Sequence, residues 1–216
     1  MGLLINNNIL FVHIPKTGGT SIITNFIANN GTNCNWEGCH APLGWLHKKC
    51  ESMLLDVNKM DILSVVRNPW AKMYSTWRYF KILEWSEFYS GDDTIDSDFN
   101  NWIKWVYTGM NRSIIDRGDV KFNLFKMHYT NQLNWFKDTD GNMLRVDTIM
   151  KTEELSDKMH LIAAKYGWHR WLRGKVNATK DNVTKPYHEM YNQESIDLVA
   201  EHFAEDIAMF NYEYTI

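Results

Sequence analysis

The chain has 216 residues, 44% of them hydrophobic, and 23 Lys and Arg stand against 26 Asp and Glu for a formal net charge of -3. That length supplies a full hydrophobic core without disulfide or metal staples, and the charge balance argues against a nucleic-acid partner, so any anion site must be local. Residues Met1 to Asn8 lack a basic segment followed by a long apolar run, and no later stretch approaches a membrane span, which predicts a soluble, cytoplasmic protein with no membrane partner.

Three cysteines, an odd number, fit a reducing compartment better than a disulfide framework. Cys34, Cys39, His40, His47 and Cys50 lie close in sequence and raise a zinc-stabilised structural protein as one alternative. No C-x-x-C pair is present and the spacings match no familiar finger, so no metal is expected.

In chain order, Ile9, Leu10, Phe11, Val12 and Ile14 read as a strand buried on both faces of a parallel sheet. Pro15 ends it. Lys16, Thr17, Gly18, Gly19, Thr20 and Ser21 form a glycine turn, and Ile22, Ile23, Phe26 and Ile27 recur at helical spacing up to Asn29-Asn30-Gly31. A turn at a helix start directs backbone N–H groups, hydroxyls and one ammonium at a single spot, with the helix dipole adding positive charge. That spot suits a phosphate.

Residues 32 to 41 are polar and turn-like. From Pro42 a helix is predicted, with Leu43, Leu46, Cys50, Met53, Leu54 and Val57 on one face. Asp61 to Arg67 reads as a second buried strand, Asn68 as the cap of the next helix and Pro69 as its first residue. That helix, Trp70 to about Leu83, aligns Asn68, Lys72, Ser75 and Tyr79. Two parallel strands joined by a helical crossover end on the same sheet edge, so Lys16 and Arg67 should face one crevice.

Residues 84 to 101 are acidic and read as a solvated loop or lid. Trp102, Ile103 and Val106 suggest a helix over 99 to 107, and 120 to 137 is a mixed segment. Asp138 to Asn142 is a turn and Met143 to Met150 alternates like a strand. Ser156 is expected to cap a helix with Met159, Ile162, Ala163 and Tyr166 inward, closed by Gly167. Residues 168 to 185 are basic. A last helix starts near Gln193, with Ile196, Val199, Ala200, Phe203 and Ile207 inward.

The order P-K-T-G-G-T-S differs from an ATP- or GTP-splitting loop, where lysine follows the glycines. It resembles the 5′-phosphosulfate loop of sulfotransferases that use 3′-phosphoadenosine 5′-phosphosulfate (PAPS), in the branch spelled H-I-P-K-T-x-G-T-S. Arg67-Asn68-Pro69-Trp70, with Ser75 and Trp77, is similar to the same branch's 3′-phosphate signature, although Lys72 stands where arginine is common. Tyr129 to Leu133 and the C-terminal helix also resemble family stretches. The resemblance implies a single α/β domain over 1–216, with a P-loop-like parallel sheet flanked by helices.

It further implies that Pro15, Lys16, Thr17, Gly18, Gly19, Thr20, Ser21, Arg67 and Ser75 bind the nucleotide. Arg173, Lys175 and Lys180 would do so from a closing loop. The implied reaction moves a sulfuryl group from PAPS to a hydroxyl of a carbohydrate or small molecule, leaves adenosine 3′,5′-bisphosphate and needs no metal. Lys16 would assist departure of the phosphate, and His40, in a G-H-x-P-like element with Cys39 in place of glycine, would act as base. Glu37 and His47 are the alternatives for that role, and His13, inside a strand, reads as packed. A small-molecule or nucleotide kinase and a non-catalytic nucleotide-binding protein stay open as other functions.

Overall fold

Ile9–Val12 buries all four of its side chains, and the sheet is built outward from it. In a computed structural model of the protein, which describes residues 2–5, 8–30, 34–37, 40–83, 92–109, 127–168 and 185–215, the strands are β1 (Gly2–Ile5), β2 (Ile9–Val12), β3 (Cys34–Glu37), β4 (Asp61–Val66) and β5 (Thr148–Lys151). The helices are α1 (Gly19–Asn30), α2 (Leu43–Ser52), α3 (Pro69–Leu83), α4 (Asp93–Asp96), α5 (Phe99–Lys104), α6 (Leu155–Lys165), α7 (Gln193–His202) and α8 (Ala204–Phe210). Two compact units result, Met1–Arg67 with Gln132–Ala178 and Asn68–Asn131 with Thr179–Ile216.

The first unit holds the sheet, ordered β3-β1-β2-β4-β5. β2, β4 and β5 are parallel, with Leu10 opposite Ile62 and Val65 opposite Met150. This is the expected α/β arrangement of a parallel sheet with flanking helices. Ile9, Phe11, Leu63, Val65 and Met150 pack against Ile22, Ile23 and Phe26 of α1 and Met159 and Ile162 of α6. Leu10, Val12, Ile62 and Val66 of the opposite face are equally buried, which is why both central strands read as unbroken apolar runs.

Several elements differ from the sequence expectation. β1 and β3 add an antiparallel pair beside β2, so the sheet is mixed rather than wholly parallel. α2 stops at Ser52 because Leu54 turns left-handed at φ 57° and the Leu55 N–H closes back on the Cys50 carbonyl, after which Asp56 accepts the Asn58 N–H and starts a 3-10 turn. Leu54 is thereby left 96% exposed, with Met53 also outside the core. The Met143 to Met150 strand is confined to Thr148–Lys151, since Leu144 N–H turns back to the Phe136 carbonyl and Met143 bridges Lys137. Asp138 closes that turn by accepting the N–H groups of Asp140 and Asn142. α6 begins at Leu155, straight out of a 3-10 turn over Thr152–Glu154, so Ser156 lies inside the helix and does not cap it.

The second unit is helical. Asn68 caps α3 as expected, its Oδ1 accepting from the N–H groups of Trp70 (3.1 Å) and Ala71 (3.3 Å). Trp70, Trp77, Phe80, Phe99, Trp102 and Phe203 form its core. Asp98 caps α5 and Asn192 caps α7, and the last helix breaks at Phe203 into α7 and α8. Of the acidic segment, 92–98 carries α4, whose N-cap is Asp92; residues 84–91 lie outside the described residues.

Candidate active site

The chain leaves the sheet at Pro15, which has no N–H for a ladder bond. Lys16 then takes φ 63° and Gly18 φ 81°, with Thr17 between them at negative φ. Alternation of this kind turns successive backbone N–H groups toward one concavity, an anion-binding nest. A left-handed lysine is disfavoured by about 1 kcal/mol, so the conformation must be held from outside. Thr17 supplies one hold, its buried hydroxyl donating to the Ile14 carbonyl at 2.9 Å.

Gly19 opens α1 against the ring of His13. A Cβ there would stand 2.3 Å from His13 Cδ2 and 2.7 Å from Nε2, so only glycine fits over this histidine. His13 is buried, in keeping with a packed strand residue. Ser21 N–H already donates to the Gly18 carbonyl at 3.0 Å. The N–H groups best set for an anion are therefore those of Thr17 to Thr20, joined by the part-exposed hydroxyls of Thr20 and Ser21.

Arg67, just past β4, donates from Nη1 to the Lys16 carbonyl at 3.0 Å. Lys16 and Arg67 thus meet at the carboxyl ends of adjacent parallel strands, as the crossover rule predicted. The Thr152 hydroxyl lies on the Thr17 carbonyl and 3.0 Å from that of Val66. The peptides are trans, so holding the carbonyls of Lys16 and Thr17 on this side points the N–H groups of Thr17 and Gly18 to the other. Gln132, fully buried, accepts the Arg67 N–H on Oε1 and donates from Nε2 to the Arg67 carbonyl, both at 2.8 Å. Neither Gln132 nor Thr152 was singled out by sequence reasoning as a site residue. The only signal was the family-like stretch from Tyr129 to Leu133.

His40 Nδ1 sits 2.8 Å from the His13 carbonyl. A carbonyl only accepts, so Nδ1 carries the proton and the lone pair falls on Nε2, the tautomer a general base requires. The ring lies 4.4 Å from that of His13 and edge-on to Trp135. His47 suits the role less well: its Nε2 is buried without a partner, and burial pulls its pKa below the ordinary imidazole value. Glu37 is on β3, where only the backbone is described. Cys50 is a buried free thiol whose pKa burial raises; among the described residues no cluster of His, Cys, Asp and Glu is placed to hold a metal.

In the second unit, Ser75 is partly exposed on α3. Lys72 is fully buried, its ammonium donating to the His128 carbonyl and standing 5.2 Å from the centre of the Phe203 ring. Its long stem follows the same inward face of α3 as Thr76, also 0% exposed. Trp77 belongs to the core, with Lys81 over its ring. Arg173, Lys175 and Lys180 lie outside the described residues.

A strand ending in a lysine-bearing nest, with an arginine just past the next parallel strand, sits here in an α/β sheet flanked by helices. The sequence profile described as the sulfotransferase family matches residues 5–213, and the chain belongs to that family. Its activity is transfer of a sulfuryl group, not the phosphoryl transfer of the kinase alternative. No curated protein matches the chain. Among the described residues no helix is long and apolar enough to cross a membrane.

Proposed function

We propose that the protein moves the sulfuryl group of PAPS to a hydroxyl of a carbohydrate or other small metabolite, releasing adenosine 3′,5′-bisphosphate. The observation that carries this reading is the nest at Lys16 to Gly18, with Arg67 drawn onto its carbonyl edge. The nest faces one way with its amides, which fits a 5′-phosphate, and the resemblance assigns the Lys16 ammonium to the same phosphate. Arg67, as its motif implies, takes the 3′-phosphate.

In the reaction the acceptor oxygen forms a bond to sulfur as the bond from sulfur to the bridging phosphate oxygen breaks. The charge gained by that oxygen is met by Lys16 and the loop N–H groups. The acceptor proton goes to Nε2 of His40, and the resulting imidazolium is steadied by its Nδ1–H bond to the His13 carbonyl.

Titration with adenosine 3′,5′-bisphosphate and transfer from labelled PAPS in excess EDTA test the reading. Lys16→Ala and Arg67→Ala should each weaken binding or turnover by more than tenfold, about 1.4 kcal/mol or more per lost charged contact. Parental binding and turnover in both variants would overturn it.

A further inference from the structure

We propose that Gln132 is a positioning residue for sulfuryl transfer, setting Arg67 through the arginine's own backbone; the proposal rests on the donor reading above. The need for such a residue arises where the sheet frays. Asp61 N–H donates toward β2, to the Asn8 carbonyl, whereas the Ile62 carbonyl accepts from Asp147 N–H on the β5 side, both at 2.8 Å. Successive residues of a strand alternate in this way, so the N–H and C=O of Arg67 belong to the β2 side.

There the partner has gone. Asp61 donates to Asn8, one residue before its register partner Ile9, so the same register would send the Arg67 N–H to the Ile14 carbonyl and the Lys16 N–H to the Arg67 carbonyl; the Ile14 carbonyl instead accepts the Thr17 hydroxyl, and Lys16 turns left-handed into the nest. Two part-buried backbone groups would be left without their ladder partners.

The Gln132 carboxamide takes the place of the absent peptide. One acceptor and one donor at amide spacing meet Arg67 N–H and C=O, each at 2.8 Å. The glutamine is itself fixed, being 0% exposed at the start of a 3-10 turn in which Leu133, Trp135 and Phe136 are also buried. The backbone of Arg67 is thereby held as if the strand continued one residue further, and from that base its guanidinium reaches the Lys16 carbonyl. Gln132 touches no donor atom in this scheme; it acts by fixing where the arginine starts.

The test compares adenosine 3′,5′-bisphosphate affinity in Gln132→Ala, Arg67→Ala and the double variant, with circular dichroism confirming the fold. If Gln132 acts through Arg67, Gln132→Ala loses about tenfold in affinity and the double variant binds no worse than Arg67→Ala alone. Gln132→Glu gives a second readout and replaces the alanine variant should that not fold. Its carboxylate accepts the Arg67 N–H but repels the carbonyl, and protonation restores the donor, so its deficit relative to wild type should shrink as pH falls. A wild-type affinity in Gln132→Ala, additive losses in the double variant, or a pH-independent deficit in Gln132→Glu overturns the proposal. No effect of Arg67→Ala refutes the donor reading itself and takes the proposal with it.

Discussion

Gly19→Ala tests the architecture of the nest without removing any charge. The new methyl group would sit 2.3, 2.7 and 3.2 Å from the Cδ2, Nε2 and Cγ atoms of His13. The ring cannot simply swing aside, since it is buried and faces the rings of Phe11 at 5.8 Å and His40 at 4.4 Å. Overpacking of this kind costs about 1–3 kcal/mol, and the better helix propensity of alanine offsets at most about 1 kcal/mol. The net loss should be about 1–2 kcal/mol, which for a chain of this size lowers Tm by roughly 2–8 °C. Thermal and urea denaturation measure it. Because the obstacle is one ring, His13→Ala should relieve it, and the double variant should be clearly more stable than the sum of the two single losses predicts. Simple additivity, or an unchanged Tm for Gly19→Ala, would refute this account of why the second glycine is there.

His40→Ala should lower kcat by about 10²–10⁴-fold with adenosine 3′,5′-bisphosphate affinity intact, and should abolish the acid limb of the pH-rate profile; an unchanged limb would point to another base. The Asp61 carboxyl is pushed up by burial, but hydrogen bonds from Lys165 and Tyr166, and the charges of Lys165 and Arg145, outweigh that and leave its pKa depressed. Its stabilisation is therefore present above the unfolded carboxylate value, about 3.9, and lost as pH falls through the folded one, so Asp61→Asn should flatten the fall of the urea midpoint below about pH 4. Tyr166 is raised, first by burial and then by Asp61. Its share is present below about pH 10 and lost above, so Tyr166→Phe should flatten the alkaline fall. Asn68→Ala removes the α3 cap and the Nδ2 bond to the Glu213 carbonyl (2.9 Å); a loss of about 1–2 kcal/mol is expected, partly restored by Asp, which caps but cannot donate to that carbonyl.

What the sequence made legible was local. β2 and β4 announce themselves because both faces are buried, and Pro15 with two glycines marks the turn between β2 and α1. The Asn68 cap follows from residue chemistry within three positions. Gln132 and Thr152 were illegible for the opposite reason, since their partners are 65 and 135 positions away and no periodicity encodes such a meeting. β1 and β3 are four-residue strands, too short for alternation to register. Lys72, where the family commonly has arginine, is taken up by packing, because the helical repeat it shares with Thr76 turns it inward.

His13 links the two chemical tasks. Its ring fills the space that makes Gly19 obligatory, and its carbonyl fixes the proton of His40. The donor loop and the proposed base therefore rest on one strand residue, at the point where β2 gives way to the nest. In the reaction proposed above, donor seating and proton removal would both depend on where His13 is held, without a direct contact between the two groups.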